Sequence, residues 1–300
     1  MLLPRSTGRC LQRRTVGRRP HPKSSARRRG SATRRVRAGG RRRRVWPAVS
    51  RRLPARVPQL GHTHERGEEG GNRHRASQGI GAAVADAYRR RGYAVVVTAR
   101  SIPSSHDPDV LAVPGDLSRP GTGAQIVAQA LDRFGRIDTL VNNAGVYREK
   151  PFTEYTDADY DLVIGVNLRG FFDVTRSAIS AMLAGGDGGH VLCVSTTLVD
   201  RANARIPAAL ASLTKGGLVA ATKELAIEYA ARRIRANAVS LGVIRTPMHP
   251  DDPGGTLAAL HPLGRMGEVD DVVEAIMYLE QASFVTGEIL HVDGGQSAGF

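Results

Sequence analysis

The sequence is short of cysteine, tryptophan and long apolar runs. Two cysteines, Cys10 and Cys193, and one tryptophan occur in 300 residues. This excludes a disulfide-rich scaffold and favours a reducing compartment, so we predict a cytoplasmic protein. The longest apolar runs span five or six residues, far below the ~18 that a membrane-spanning helix needs. Yet 41% of the residues are hydrophobic, which is enough to form a buried core and excludes disorder of the whole chain.

The net charge of +15 is distributed unevenly along the chain. Residues 1–75 hold 23 basic residues, 22 of them arginine, against three acidic ones, and no acid precedes Glu65. Residues 76–300 hold 20 basic and 25 acidic residues. The basicity therefore belongs to the N-terminal segment, whereas the rest of the chain is mildly acidic and has the length of one α/β domain.

The arginine-rich segment 1–75 has no hydrophobic period and too little apolar surface to fold, so we predict that it is disordered. Four interpretations of it stay open. Its composition resembles an organelle transit peptide, but an amphipathic helical face is missing. Its arginines suit nucleic-acid phosphates, although Trp46 is its only aromatic residue. The cluster His62, His64 and Glu65 has no fixed scaffold, so we predict no metal site. The fourth interpretation is that the segment was translated in a shifted reading frame.

From Ala76 onwards, buried apolar runs alternate with helical periods. This alternation predicts a doubly wound α/β fold, a Rossmann-type parallel sheet with helices on both faces. No strand pattern precedes the first helix, so we expect the first strand to be missing or degraded. We expect strands at Tyr93–Thr98, Val110–Val113, Ile137–Val141, Val191–Val194, Ile234–Val239 and Glu288–Val292, and helices near 79–91, 122–134, 158–183, 207–231 and 270–280.

Several short motifs in residues 76–300 occur in the order and spacing of one enzyme family. They are Ala76–Gly81, Asp116-Leu117, Asn142–Gly145, Asn167, Lys215 and Asn237–Met248, and the ending Val285–Gly295 also fits. The pattern resembles the short-chain dehydrogenase/reductase family over nearly all of this region. The resemblance implies one Rossmann-type domain that exchanges hydride between a nicotinamide dinucleotide and a carbonyl or alcohol substrate.

In this family a glycine-rich turn between the first strand and the first helix binds the pyrophosphate of the cofactor. The resemblance assigns that role to Gly79, Ile80 and Gly81, because such glycines let the backbone approach the phosphates at a helix N-terminus. The alternative is that the glycines merely begin a helix. The Thr-Gly that opens the family turn is replaced here by His74-Arg75, and a bulky side chain does not suit a tight turn.

A one-base shift restores the family turn. The residues Asn72–Arg75 can be encoded AAC-CGT-CAC-CGG, and the adjacent frame reads Thr-Val-Thr-Gly, which is what precedes Ala76 in the family pattern. Arginine, glycine and proline are also what GC-rich DNA yields in a wrong frame. We therefore hypothesise a frameshift or a wrongly assigned start immediately before Ala76.

The end of the second strand predicts the choice of cofactor. Members that prefer NAD place an acid there for the ribose hydroxyls, but this chain has Ala99 followed by Arg100. An arginine favours a 2′-phosphate, so we expect NADP(H) rather than NAD(H), with an ordinary surface arginine as the alternative. Asp116 and Leu117 resemble the pair that contacts the adenine, unless Asp116 only stabilises a turn.

The resemblance places further cofactor contacts at the ends of two later strands. Asn143, Ala144 and Gly145 match the family motif that lines the cofactor cleft. Ile244 and Thr246 resemble the residues that hold the nicotinamide amide.

Catalysis in the family depends on asparagine, serine, tyrosine and lysine. Asn167 and Lys215 match the asparagine and the lysine, which also binds the cofactor ribose, and Ser195 or Thr196 lies nearest to the serine position. The tyrosine position, four residues before the lysine, is Ala211. A methyl group has no proton to donate, and losing a positioned general acid typically costs ~10²–10⁴ in rate.

Two functions therefore compete: an oxidoreductase with impaired or altered activity, and an inactive dinucleotide-binding or interaction protein. Tyr147 is the nearest substitute acid in the sequence, although a residue of the pocket wall is the simpler interpretation. Residues 247–263 resemble a mobile lid, whose histidines we expect to face solvent. We expect a homodimer or homotetramer formed through the alanine-rich helix 208–231, and neither a membrane nor a nucleic acid as partner.

Overall fold

The computed structural model describes residues 79–249 and 252–299, together with the backbone of a strand at 55–59. Its seven strands form one parallel sheet in the order β3-β2-β1-β4-β5-β6-β7. The strands are β1 (Ala55–Gln59), β2 (Ala94–Ala99), β3 (Val110–Pro114), β4 (Thr139–Asn142), β5 (Gly189–Thr196), β6 (Ile234–Leu241) and β7 (Ile289–Val292).

Helices cover both faces of this sheet. Two buried apolar clusters show this: one joins α2, α4 and α5 to one face, and the other joins α1 and α6 to the opposite face. The predicted doubly wound α/β fold is therefore confirmed. The helices are α1 (Ile80–Arg90), α2 (Thr122–Phe134), α3 (Asp157–Ile164), α4 (Phe171–Gly185), α5 (Ala209–Glu228) and α6 (Val269–Gln281).

The first strand, which we expected to be missing or degraded, is present in the sheet. Strand β1 lies in the middle of the sheet, where Arg56 pairs with Val95 of β2 and with Thr139 of β4. The physical reason is that β2 and β4 would otherwise each leave a buried edge of unpaired N–H and C=O groups. The strand is an imperfect one, because Pro58 stands opposite Val141 and has no N–H to donate.

The predicted helix 158–183 is interrupted. Residues Gly165–Gly170 form a π-helical segment between α3 and α4. Such wider turns are frequent at functional sites, and this one contains Asn167. An extra residue in one turn barely changes the apolar period, which is why the sequence pattern reads as one continuous helix.

The predicted disorder of the N-terminal segment lies outside the described residues, apart from the strand Ala55–Gln59, which is ordered into the sheet. The histidine cluster at His62 and His64 and the altered turn at His74-Arg75 also lie outside them. In the part of the chain that the structure describes, every helix is too short or too polar to cross a membrane.

Candidate active site

A cavity of about 430 Å³ opens at the carboxyl ends of β4, β5 and β6. This is the edge of a parallel sheet where ligands are expected. The predicted site residues on its wall are Ile80, Asn143, Gly145, Ser195, Thr196, Lys215, Ile244 and Thr246. Residues from five separate stretches of sequence therefore meet at one place.

Asn167 and Lys215 approach the same glycine from two helical segments. A Cβ atom at Gly145 would lie 3.0 Å from Nζ of Lys215 and 3.5 Å from Oδ1 of Asn167. The structure therefore brings together the two catalytic candidates that lie 48 positions apart in the sequence. Glycine is required between them because a larger residue would displace the lysine.

Asn167 is 1% exposed and uses its amide group to fix the loop after β4. Its Oδ1 accepts a hydrogen bond from the backbone N–H of Val146 at 2.8 Å, and its Nδ2 donates to the Val146 carbonyl and to Oγ1 of Thr214, both at 3.0 Å. Both amide hydrogens are thus occupied by the protein. The side chain ties the π-helical segment to the cavity wall and to α5.

Lys215 points its amino group into the cavity from α5. Its Nζ donates to the carbonyl oxygen of Val194, at 2.8 Å. Burial away from bulk water lowers the pKa of Lys215 from 10.5 to about 8, because desolvation disfavours the ammonium form. No carboxylate of the described residues pairs with this nitrogen to oppose the shift.

Asn143 carries a buried amide group that the protein leaves without hydrogen bonds. The residue is 3% exposed and lines the cavity, yet neither Nδ2 nor Oδ1 has a partner among the described residues. An unsatisfied buried amide costs about 1–3 kcal/mol, so such a group is expected where a ligand completes its bonds. The neighbouring Ala144 is buried beneath the cavity wall.

The N-terminus of α1 is open to an anion. Gly79 precedes the helix with a φ of 89° and provides no side-chain cap, so among the described residues no side chain caps the N–H groups of the first turn. Ile80 lies on the cavity wall, and Gly81 is buried in the first turn. This arrangement suits a phosphate at the rim of the cavity.

The remaining predicted cofactor residues lie at the ends of β2 and β3, away from the cavity wall. Arg100 is exposed immediately after β2. Its charge helps to keep the pKa of Asp116 below the usual value, although hydrogen bonds from Ser118 are the main cause. Asp116 thus stabilises its own turn, while Leu117 packs in the core beneath.

Ser195 and Thr196 end β5 on the cavity wall, where they have different partners. The Ser195 hydroxyl donates only a long hydrogen bond, 3.4 Å, to the Lys215 carbonyl. Oγ1 of Thr196 instead accepts from the N–H of Leu198 and caps the short helix that follows. Ser195 is therefore the better placed of the two to contact a bound molecule.

A family model described as "Enoyl-(Acyl carrier protein) reductase" matches residues 75–297. The match covers well over half of the chain, and the fold and the motif positions agree with it. The chain belongs to the short-chain dehydrogenase/reductase family. The predicted family is confirmed.

Relatives and solved structures agree with this assignment. An uncharacterized oxidoreductase of Methylorubrum extorquens is 36% identical over 239 residues, which cover 73% of this chain and 94% of that protein. The 3-oxoacyl-(acyl-carrier-protein) reductase of Thermotoga maritima is 34% identical over 225 residues, which cover 73% of this chain and 89% of that protein. The solved structure of the 3-ketoacyl-(acyl-carrier-protein) reductase from Brucella melitensis, complexed with NADH, matches with a TM-score of 0.68 and 30% sequence identity. The match covers 81% of this chain and 98% of that chain.

Ala211 occupies the position where the family resemblance predicts a tyrosine. The residue lies four positions before Lys215 in α5, so both share one helix face, and both line the cavity. Ala211 is 4% exposed and ends in a methyl group. The wall of the cavity is therefore lined at this point by a methyl group alone.

Tyr147 lies on the cavity wall but is a poor substitute acid. Its hydroxyl donates to Oε2 of Glu149 at 3.2 Å. Burial and this neighbouring carboxylate raise the pKa of Tyr147 well above 10. Releasing the proton would put two negative charges side by side, so the phenol retains it.

The expectation that the histidines of residues 247–263 face solvent is wrong. His249 is half-buried and lines the cavity, and His261 is 2% exposed and accepts a hydrogen bond at Nε2 from the N–H of Val243. The reason is that this segment folds back over the ends of β6 and β7, which the sequence pattern of Pro and Gly does not show. Thr246 lies at the start of this fold-back and forms an isolated antiparallel β-bridge with His249.

Proposed function

We propose that this chain transfers hydride between NADP(H) and a small carbonyl or alcohol substrate. The observation that carries the proposal is the buried amide of Asn143, unpartnered on a cavity wall that also holds Lys215. Membership of the family makes a nicotinamide dinucleotide the ligand that fits this amide. When bound, the dinucleotide supplies or accepts the hydride.

The residues present fit such a cofactor along the carboxyl edge of the sheet. Gly79 and Gly81 would hold the pyrophosphate at the uncapped N-terminus of α1. Asn143 would bind near the middle of the cofactor, and Lys215 would donate to a ribose hydroxyl. Gly145 has no side chain and so leaves room beside them, because a Cβ there would come too close to Lys215. The nicotinamide amide would lie against Ile244 and Thr246.

NADP(H) is proposed over NAD(H) because Arg100 follows β2 where NAD-preferring members carry an acid. The guanidinium would pair with the 2′-phosphate, a charge-assisted contact worth ~1.5–3 kcal/mol. Nicotinamide fluorescence titration tests this. We expect Arg100→Ala to weaken NADPH binding at least tenfold and to leave NADH binding unchanged; an equal change for both cofactors would refute the preference.

At the substrate end, the proposal gives each residue a separate task. Ser195 orients the substrate oxygen, and Asn167 holds the loop after β4 in place through Val146. Lys215 presents its amino group to the same part of the cavity. The 430 Å³ of the cavity suits a small organic molecule.

A second candidate function is favoured by one observation, the methyl group of Ala211 at the tyrosine position. In this alternative the chain binds the dinucleotide without turning it over. Titration with NADPH, followed by assay on a panel of aldehydes, ketones and 3-oxoacyl thioesters, separates the two. Turnover supports the oxidoreductase, whereas binding without turnover supports the inactive protein.

We also propose a homodimer or homotetramer in the cytoplasm. Phe172 on α4 and Leu213 and Ile227 on α5 are more than half exposed, which is typical of a surface covered by a partner. Light scattering with Ile227→Glu tests the assembly, because a charge in the centre of the interface should yield monomers.

A further inference from the structure

The absence of a tyrosine leaves open which group gives a proton to the substrate oxygen. The inference made here rests on the proposed function. Besides threonine hydroxyls, which like that of serine would need a base, the cavity wall offers Tyr147, Ser195, Lys215 and His249 as proton donors.

Geometry excludes two of these. The Tyr147 hydroxyl is held by Glu149 at 3.2 Å, and the neighbouring carboxylate opposes the loss of its proton. Ser195 has a hydroxyl that would itself need a base, and it approaches only the Lys215 carbonyl oxygen, at 3.4 Å. His249 remains as the competitor from the segment that covers β6.

Lys215 is presented to the cavity without an obstacle. An ammonium group has three N–H donors, and the described residues occupy one of them, through Val194. Ala211 lies one turn before Lys215 on the same helix face, and its methyl group leaves space along the cavity wall that both residues line. That space has polar neighbours in Nζ and Ser195, as an ordered water requires.

We propose that Lys215, acting through one water molecule in the space beside Ala211, is the proton source for the substrate oxygen. The bound dinucleotide would supply the hydride that forms the new C–H bond, and the carbonyl oxygen would then hold the former C=O π electrons as an alkoxide. The oxygen takes a proton from the water, and the water takes one from Nζ. The neutral amine that remains is protonated again from solvent.

The charge environment supports this role. Burial lowers the pKa of Lys215 to about 8, which is close to neutral, where a general acid is most effective. The ionisable groups that face it are Cys193 on β5, Tyr147 and Glu149 after β4, Arg205 after β5, and His249. Of these, only Glu149 carries a carboxylate, and it is hydrogen-bonded to Tyr147.

The first test measures proton and hydride transfer separately. The full chain contains four lysines, Lys23, Lys150, Lys215 and Lys223, so ¹³C-lysine labelling resolves the Lys215 Cε signal, identified by its loss in Lys215→Arg. We expect this signal to titrate near pH 8, and the single-turnover rate of acetoacetyl-CoA reduction by NADPH to fall above pH 8 with the same midpoint. A rate midpoint that disappears in His249→Gln and persists in Lys215→Arg would overturn the proposal.

Variants at Lys215 and Ala211, with a control at Lys223, complete the test. Lys215→Arg keeps the charge but not a releasable proton, so we expect a rate loss of about 100-fold or more, whereas Lys223→Arg on the same helix should change nothing. Ala211→Phe should also slow the reaction by excluding the water. Ala211→Tyr brings its own acid, so its rate should no longer follow the Lys215 titration. Full activity in Ala211→Phe would overturn the water path.

The outcomes also separate this proposal from the proposed function. If the native chain does not bind NADPH, the proposed function fails, and this proposal with it. If both the native chain and Ala211→Tyr bind NADPH without reducing the probe, the inactive alternative holds and both proposals fail. If only Ala211→Tyr reduces the probe, the oxidoreductase scaffold is upheld and the assignment of Lys215 alone is overturned.

Discussion

Asn167 and Lys215 meet across Gly145, with Nζ of the lysine 3.0 Å and Oδ1 of the asparagine 3.5 Å from where a Cβ would stand. Adding a single Cβ atom at Gly145 would therefore distort the site. Because Nζ ends a flexible side chain, it would move away from its acceptor Val194 rather than overlap.

Gly145→Ala should weaken dinucleotide binding without unfolding the protein. Displacing Lys215 removes one charge-assisted contact, and we expect about a tenfold increase in the Kd of NADPH, ~1.4 kcal/mol. The matched control is Gly216→Ala, where a Cβ would meet Val199 at an ordinary 3.6 Å. Equal affinity in the two variants would contradict the geometry of the site.

Lys215→Met should make the protein more stable at neutral pH. The pKa of Lys215 is lowered from 10.5 to about 8, so between these values the unfolded chain binds the proton that the folded chain has lost. Native stability therefore rises with pH across this window, and the burial cost, about 3 kcal/mol, is present in full below pH 8.

Urea denaturation of native chain and variant at pH 7 and pH 10 measures this effect. The advantage of Lys215→Met should be reduced by its lost bond to Val194 and should shrink as the pH rises. Lys223→Met, at an exposed position of the same helix, is the control. If the stability advantage of Lys215→Met grew with pH, the predicted direction of the pH dependence would be wrong.

A second buried polar group supports the sheet at the end opposite to the site. Glu280 in α6 accepts hydrogen bonds from Tyr88 at 3.1 Å and from Thr139, and its Oε2 lies 3.0 Å from Nδ1 of His190. Glu280→Ala would remove the shared acceptor of these largely buried side chains, and the loss of a buried hydrogen bond costs about 1–3 kcal/mol. We expect a loss of about 3 kcal/mol in the free energy of unfolding, against less than about 0.5 for Glu274→Ala on the exposed face of α6.

The reading frame before Ala76 remains a prediction, and the fold adds a reason for it. Residues 60–79 separate β1 from α1, whereas βα connections are commonly ~2–6 residues long. The family's first strand runs directly into the glycine turn. Sequencing the gene across codons 70–76 should reveal the shift; an unshifted frame, with the segment present in the purified protein, would refute it.

The strands buried on both faces were predictable because each is a continuous apolar run. Val95–Val97 and Val191–Val194 belong to β2 and β5, as their composition indicates. Strand β1 was not predictable, because Ala55–Gln59 contains arginine and proline and is placed only by the unpaired edges of its neighbours. Pairing across a sheet is a tertiary effect that a local pattern does not show.

Site residues that belong to a sequence motif were predictable. Features that depend on how side chains pack in the folded chain were not. Spacing located Lys215 and Asn167 but gave no sign that Asn143 would be left with an unpartnered amide. The position of His249 on the cavity wall depends on how the segment after β6 folds back. A histidine close to a Pro- and Gly-rich stretch is the only signal in the sequence, and it is weak.

The central claim is that a dinucleotide lies along this edge of the sheet with its nicotinamide end beside Lys215. NMR titration of ¹³C-lysine-labelled protein with NADP⁺ tests it most directly. The account predicts a saturable shift of the Lys215 Cε signal, with Lys150 and Lys223 unchanged. Saturable binding of NADP⁺ that leaves the Lys215 signal in place would contradict it.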